Sequence, residues 1–366
     1  MKKSERIDSL NSLRGIAAAC VVISHFYGLF WTKSDVISGF IKVPYSVNGI
    51  TPTYISWFKF HEYADWGMFG VALFFLISGF VIPFSISKTS TKDFVKSRFM
   101  RIWPVYAAGL SISLLVLLTS VGATNWPFPL SHVIIHYLPG LRDILGTTNI
   151  DGIIWTLEIE VKFYLICILI APLIRQGSIK TFIAPALIVA LSAATWFLVD
   201  PTFESVLGRM MFAGLVIIFM FIGVTFYYAR AGILSRRNAV LICMTLFFAF
   251  AALMPITPGM PRYFIWSFAA ALLVFSISFA WPWLFKKRAT TDFLAKISYP
   301  LYATHAVFGY TLLAVMIESS VDPNLALLSA TVASVALAYL LHLIVEVPTM
   351  SKRTNASKPQ KLGQPA

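Results

Sequence analysis

Apolar residues run along this chain in long, nearly uninterrupted blocks, separated by short polar connections. Each block holds roughly 20 residues, the length that crosses a hydrocarbon core of about 30 Å as an α-helix. Only helices and closed barrels pair every backbone N–H and C=O inside lipid, and continuous apolar blocks of this length select helices. The pattern predicts ten: Leu10 to Trp31, Met68 to Ile86, Trp103 to Val121, Gly152 to Ile174, Thr181 to Val199, Val206 to Tyr228, Ala239 to Met254, Phe264 to Trp283, Ile297 to Ile317 and Asn324 to Val345. The expected fold class is therefore all-α, a polytopic membrane protein of about ten transmembrane helices.

Two connections are long, Thr32 to Gly67 and Gly122 to Asp151, and both are rich in Trp, Tyr, Phe and Pro. Such segments are expected to pack at the membrane interface rather than hang free. No internal repeat and no second, soluble domain are visible. Residues 1–350 read as one transmembrane domain, and 351–366, polar and without periodicity, as a disordered cytoplasmic tail.

Composition agrees with the pattern. Of 366 residues, 58% are hydrophobic and only 12% charged, about half the charge that a water-exposed globule carries. A soluble enzyme, a disordered chain, a disulfide-rich secreted domain and a coiled coil are all excluded. Cys20, Cys167 and Cys243 fall inside apolar blocks, so no disulfide framework is expected. The net charge of +13 does not indicate nucleic acid as a partner, because the basic residues sit in short clusters between the spans.

Those clusters give the orientation. Of the 29 Lys and Arg, 21 lie on the termini and alternate connections, five on the other connections, and three, Arg14, Lys162 and Arg209, inside spans. Positive charge stays on the cytoplasmic side, so both termini are expected there and the number of spans is even. Met1-Lys2-Lys3 before an apolar block resembles a signal peptide, but the block contains Arg14 and His25 and lacks a small-residue cleavage site, so it reads as a retained first helix.

An ionisable group at mid-membrane costs about 2.5–3.5 kcal/mol on insertion scales, so each one calls for a partner, a wet cavity or a task. Arg14 and His25 are eleven residues apart, and eleven steps of about 100° return to within roughly 20° of the same helix face. Arg14 is expected about 6 Å and His25 about 22 Å from the cytoplasmic boundary, with Glu160 near 18 Å and His305 near 12 Å. Each histidine alone reads as a neutral, hydrogen-bonded packing residue; together with Arg14 and Glu160 they read as a polar ladder. Arg98 and Arg101, at i and i+3 by the cytoplasmic entrance of the third span, suit phosphate oxygens, and equally suit topology signalling and lipid headgroups. His342 and Glu346, at i and i+4, predict a structural pair, as do Glu158 and Lys162. His132 and His136 have metal-compatible spacing without a third ligand, so no metal site is expected. His61, Glu62 and Asp65 lie in an outside loop that could meet a polar acceptor.

At these residues the chain resembles the acyltransferase-3 family, integral-membrane acyltransferases that decorate bacterial surface glycans and some secreted small molecules. Ile7 through Ala18, ending in Ser24-His25-Phe26, is similar to the family's opening segment with its Arg-x10-His element. Gly70-Val71-Ala72-Leu73-Phe74-Phe75-Leu76-Ile77-Ser78-Gly79-Phe80 resembles the second-helix signature, and Arg98-Phe99-Met100-Arg101 the Arg-x-x-Arg element. Ile297-Ser298-Tyr299-Pro300-Leu301-Tyr302-Ala303-Thr304-His305 resembles the late Ser-Tyr…Tyr…His helix, and Glu346-Val347-Pro348 the Glu-x-Pro ending. Trp155-Thr156-Leu157-Glu158-Ile159-Glu160-Val161-Lys162-Phe163-Tyr164 departs from the family's Trp-Ser-Leu-Ser-Val-Glu-x-x-Phe-Tyr by placing Glu158 where a small residue is common.

The resemblance implies transfer of an acyl group, usually acetyl, from cytoplasmic acyl-CoA to a sugar hydroxyl of a cell-surface or lipid-linked polysaccharide, in a bacterial cytoplasmic membrane. Acyl-CoA is then a donor substrate, with no permanently bound cofactor. Arg98 and Arg101 are expected to hold CoA phosphates, with Arg14 contacting the donor further in. His25 is the expected general base, because a hydroxyl needs a proton acceptor near neutral pH. Glu160 orients that imidazole or binds the acceptor, and Ser298, Tyr302 and His305 line the same cavity. A transporter or flippase for a polar or lipid-linked substrate is the alternative, since a translocation path also needs intramembrane polar groups.

Overall fold

The computed structural model describes residues 3–47, 49–58 and 65–350, with side chains from residue 8 onward at the N-terminal end. All regular structure among these residues is helical. The ten long helices are α1 (Lys3–Ser24), α2 (Trp66–Ile86), α3 (Thr91–Val121), α4 (Ile154–Leu169), α5 (Ile183–Val199), α6 (Val206–Arg230), α7 (Arg236–Leu253), α8 (Phe264–Ala280), α9 (Ala289–Glu318) and α10 (Pro323–Leu341). Eight of them, with their continuations, are long and apolar enough to cross a membrane. The exceptions are α4 and α8, of 16 and 17 residues. The chain is an all-α, multi-pass membrane protein. The tail at 351–366 and the loop residues His61 and Glu62 lie outside the described residues.

The shortness of α4 has a local cause. Pro172 has no N–H to continue the ladder, so the helix stops at Leu169 and restarts as Ala171–Arg175. Helices α3 and α9 begin well before their apolar blocks. Helix α3 begins at Thr91 rather than Trp103 because Ser90 caps it, its side chain accepting from the Asp93 N–H. Helix α9 begins at Ala289 rather than Ile297, its first turns carrying the Asp292–Lys296 ion pair at 2.9 Å. Arg98 and Arg101 therefore stand on α3 itself.

Burial sorts the helices into a centre and a rim. Every residue from Leu215 to Val224 of α6 is buried, whereas Phe197 and Leu198 of α5 are 81% and 83% exposed. Exposed apolar side chains of this size belong against lipid. Helix α1 packs between α2 and α9, α9 also meets α3 and α10, and α2 lies along α6. The last contact is backbone against backbone: a Cβ on Gly79 would overlap the Met220 carbonyl oxygen, and one on Gly223 the Leu76 carbonyl oxygen. Small residues are what let helices approach this closely in lipid.

Both long outside connections fold back as short helices, Ser34–Ile41 and Thr53–Phe58 in one, Leu130–His136 and Arg142–Leu145 in the other. Ile37 and Ile41 are completely buried, as interface packing predicts.

Candidate active site

Helices α1, α2, α3, α4, α6, α8 and α9 enclose a cavity of about 610 Å³ on the side where the basic connections lie. Its charged lining is five basic side chains, Arg14, Lys88, Arg98, Arg101 and Arg230, with one acid, Glu160. Such an excess of cations in a low-dielectric enclosure is receptive to an anion.

The polar groups are held by neighbours. Arg14 donates through Nη2 to Ser298 Oγ at 3.1 Å, across the α1–α9 contact, and Ser298 Oγ donates to the Ala295 carbonyl at 2.9 Å. Arg98 is buried, its guanidinium 5.4 Å from the Phe94 ring centroid and 5.9 Å from that of Tyr164. Arg14 is in electrostatic reach of Arg101, Glu346 and Glu160. Glu160 accepts from Ser78 Oγ at 2.6 Å and, by a short bond, from Tyr164 Oη. Tyr302 Oη lies 2.7 Å from Thr156 Oγ1. Arg14, Arg98, Arg101, Glu160, Ser298 and Tyr302 therefore share one cavity.

His25 and His305 are outside its lining. They form a separate cluster in which the two ring centroids are 4.6 Å apart and His25 Nδ1 lies 2.5 Å from Tyr310 Oη. His25 opens a π-helical turn, His25–Leu29, that interrupts the regular ladder of α1; such turns are frequent at functional sites. His305 Nδ1 contacts the Leu301 and Tyr302 carbonyl oxygens at 3.0 and 3.1 Å. The cavity and the cluster meet at Tyr302, which lines the first and whose ring centroid is 5.9 Å from that of His305.

Two expectations are corrected. Glu160 does not orient His25: its carboxylate is engaged by Ser78 and Tyr164, while His25 Nδ1 meets Tyr310. Glu158 does not pair with Lys162. Its Oε2 takes Arg142 Nη2 at 2.6 Å and Nε at 3.1 Å, and Lys162 Nζ goes to Asp143 at 2.7 Å. The reason is that the Arg142–Leu145 helix tucks inward against α4 and brings a cation and an anion of its own, and Arg209 Nε ties down the Asp143 carbonyl at 2.7 Å.

The remaining polar candidates have local partners. His342 Nδ1 is 2.7 Å from Glu346 Oε2, as their spacing predicts. His132 Nδ1 contacts Thr148 Oγ1 at 3.2 Å while His136 Nε2 faces Asp151 at 3.6 Å, so the two imidazoles have different partners. Among the described residues no group of three His, Cys, Asp or Glu is placed to hold a metal ion. Asp65 caps α2, accepting from the Met68 N–H at 2.7 Å and from Ser24 Oγ at 3.0 Å.

Several lining or supporting groups had no separate signal in the sequence. Lys88 and Arg230 were absorbed into the charge count of the inner connections. Tyr164 closes one helical turn after Glu160, a spacing that pairing rules favour once the acid is singled out. Tyr310 is 285 positions from His25, and nothing local marks it.

Fold and site together define a multi-pass membrane protein with an internal, anion-receptive chamber beneath a pair of neighbouring imidazoles. The acyltransferase domain model of the acyltransferase-3 family matches residues 7–343, and the chain belongs to that family. It is also similar to Nodulation protein 10 of Rhizobium leguminosarum bv. viciae, 30% identical over 141 residues, 34% of this chain and 37% of that protein. The match thus spans little more than a third of the curated relative's length. No solved structure matches.

Proposed function

We propose that this protein is a bacterial cytoplasmic-membrane O-acyltransferase that draws an acyl group, acetyl in the first instance, from cytoplasmic acyl-CoA and transfers it to a sugar hydroxyl of a cell-surface or lipid-linked polysaccharide. The observation that carries this reading is the cavity: about 610 Å³, five basic side chains against one acid, on the side assigned to the cytoplasm. Its volume falls within the usual range of about 300–1,000 Å³ for small-molecule sites. Planar guanidinium forks at Arg98 and Arg101 suit the phosphates of CoA, and Arg14, braced by Ser298, stands deeper in the same chamber.

With the phosphates held there, the thioester end points toward Tyr302 and the imidazoles beyond it. The acceptor oxygen attacks the thioester carbon, its proton passes to an imidazole of the His25–His305 pair, and the CoA thiolate leaves and takes up a proton. Enclosure by packed helices keeps bulk water, a competing nucleophile, away from the thioester.

The test uses purified protein in nanodiscs, titrated with acetyl-CoA and assayed for transfer of labelled acetyl to membrane glycan. Saturable binding is expected, weakened by salt and by about tenfold or more in Arg98→Gln and in Arg101→Gln, since charge-assisted hydrogen bonds are worth about 1.5–3 kcal/mol. Undiminished acetyl-CoA binding in the double variant would defeat the donor assignment.

A further inference from the structure

We infer that within this reaction His305, not His25, is the proton acceptor, and that His25 is the hydrogen-bond donor to the carbonyl oxygen. The inference rests on the acyl-transfer reading and divides the labour of its two imidazoles.

The argument is a count of protons. His305 Nδ1 faces two backbone carbonyl oxygens, of Leu301 at 3.0 Å and Tyr302 at 3.1 Å. A carbonyl oxygen only accepts, so Nδ1 carries the hydrogen and the neutral ring keeps its lone pair on Nε2. That Nε2 is buried and has no hydrogen-bond partner among the described residues. A buried acceptor left open in this way has lost its water without gaining a bond, which suits an atom that waits for a substrate hydroxyl.

His25 is set the other way. Its Nδ1 meets the Tyr310 hydroxyl at 2.5 Å, and Tyr310 is 1% exposed. Among the described residues the hydrogen bond of the Tyr310 hydroxyl is the one with His25 Nδ1. Buried O–H groups are paired, so Tyr310 donates and Nδ1 accepts. The neutral His25 ring then bears its hydrogen on Nε2, as a donor. Two imidazoles 4.6 Å apart thus present opposite faces to a substrate, one an open lone pair and one an N–H.

The chemistry balances with no further reactant. The acceptor O–H gives its proton to His305 Nε2 as the new C–O bond forms; the carbonyl oxygen, gaining negative charge, is met by His25 Nε2–H. As the tetrahedral centre collapses, the C–S bond breaks and the CoA sulfur receives the proton from His305. Tyr310 is a positioning residue, acting through His25.

Variants that mimic one ring nitrogen at a time separate the roles. His25→Gln places an amide N–H near the position of Nε2 and is expected to retain at least about tenfold more activity than His25→Ala, which loses about 10²–10³ in kcat, as oxyanion donors do. His305→Asn keeps an N–H toward the Leu301 and Tyr302 carbonyls and so keeps the local fold, yet is expected to lose about 10²–10⁴ in kcat with acetyl-CoA affinity unchanged. Tyr310→Phe lowers kcat in wild-type His25 protein and has little effect in the His25→Gln background, a coupling that a packing role would not produce. Near-normal turnover in His305→Asn, or a His25→Gln variant as inactive as His25→Ala, would overturn the assignment while wild-type transfer still upheld the acyl-transfer reading. Wild-type protein that binds acetyl-CoA and transfers nothing would overturn both.

Discussion

The Tyr302 hydroxyl, 2.7 Å from Thr156 Oγ1, joins α9 to α4 at the boundary between the basic cavity and the imidazole cluster. Tyr302 lies one helical turn before His305 on α9, and the two ring centroids are 5.9 Å apart. Phe74, at a ring-centroid distance of 6.3 Å, backs it from α2.

Tyr302→Phe keeps the ring and loses the bond to Thr156, and is expected to cost about 1 kcal/mol of stability, read as a small drop in melting temperature in detergent. Tyr302→Ala removes the partition. Hydrolysis of acetyl-CoA in the absence of acceptor is expected to rise in that variant, because water then reaches the thioester alongside the imidazoles. A Tyr302→Ala protein with unchanged background hydrolysis would show that the ring does not separate the two chambers.

Glu158 and Arg142 form a buried pair, the acid 1% exposed. Removing one member strands the other charge, and Glu158→Leu is expected to cost about 3–5 kcal/mol. The double variant Arg142→Met/Glu158→Leu replaces the pair with apolar volume and is expected to recover most of that loss. Melting temperatures of the three proteins check it: a double variant no better than Glu158→Leu would mean that the pair does not act as a unit.

These cases mark what was legible in the sequence. Spans were legible because lipid demands long apolar blocks, and all ten helices lie within or across them. Their ends were less so: the polar turns from Thr91 to Arg101 on α3 and from Ala289 to Lys296 on α9 are helical through caps and ion pairs, which hydropathy does not register. Arg14, Arg98, Arg101 and Glu160 were found because charge inside or at the edge of a span is costly and stands out. The partner of Glu158 was hidden because Arg142 belongs to an outside connection, and only tertiary folding turns its short helix inward against α4. The partition at Tyr302 was hidden for a related reason. Helix periodicity places Arg14 and His25 on one stripe, but it is blind to Tyr302 of α9, which meets Thr156 of α4 and Phe74 of α2 where the cavity reaches the imidazoles.

Asp151 ties the C-terminal end of the second long connection to α4, accepting from the Ile153 and Ile154 N–H groups at 3.0 Å each and facing His136 at 3.6 Å. Burial opposes its charge, but the interaction with His136 and the two backbone donors prevail, and its pKa is held below the ordinary 3.8. A carboxylate depressed in the folded state contributes stability above its unfolded value and loses it as pH falls through the folded value. The melting-temperature gap between wild type and Asp151→Asn is therefore expected to be constant above about pH 5 and to shrink as pH falls below the ordinary carboxylate range. A gap that stays constant down to the acid limit would sink this account of the loop anchor.

Gly79 joins packing to chemistry. Helices α2 and α6 touch where Gly79 faces Met220 and Gly223 faces Leu76, and a methyl at either glycine meets a carbonyl oxygen of the opposite backbone. Backbone cannot swing aside as a side-chain end can, so Gly79→Ala must push the helices apart, at a cost of about 1–3 kcal/mol for overpacking. The neighbouring Ser78 donates to Glu160 at 2.6 Å, and displacement of α2 stretches that bond. The variant should therefore lose stability and the geometry of the cavity together, seen as a lower melting temperature and weaker acetyl-CoA binding. Gly39→Ala is the control: it lies in the Ser34–Ile41 helix with open space around the added methyl, and is expected to be neutral or slightly stabilising, since alanine is the better helix former by about 1 kcal/mol. Equal behaviour of the two variants would mean that the α2–α6 crossing is not the tight contact on which the position of Ser78 depends.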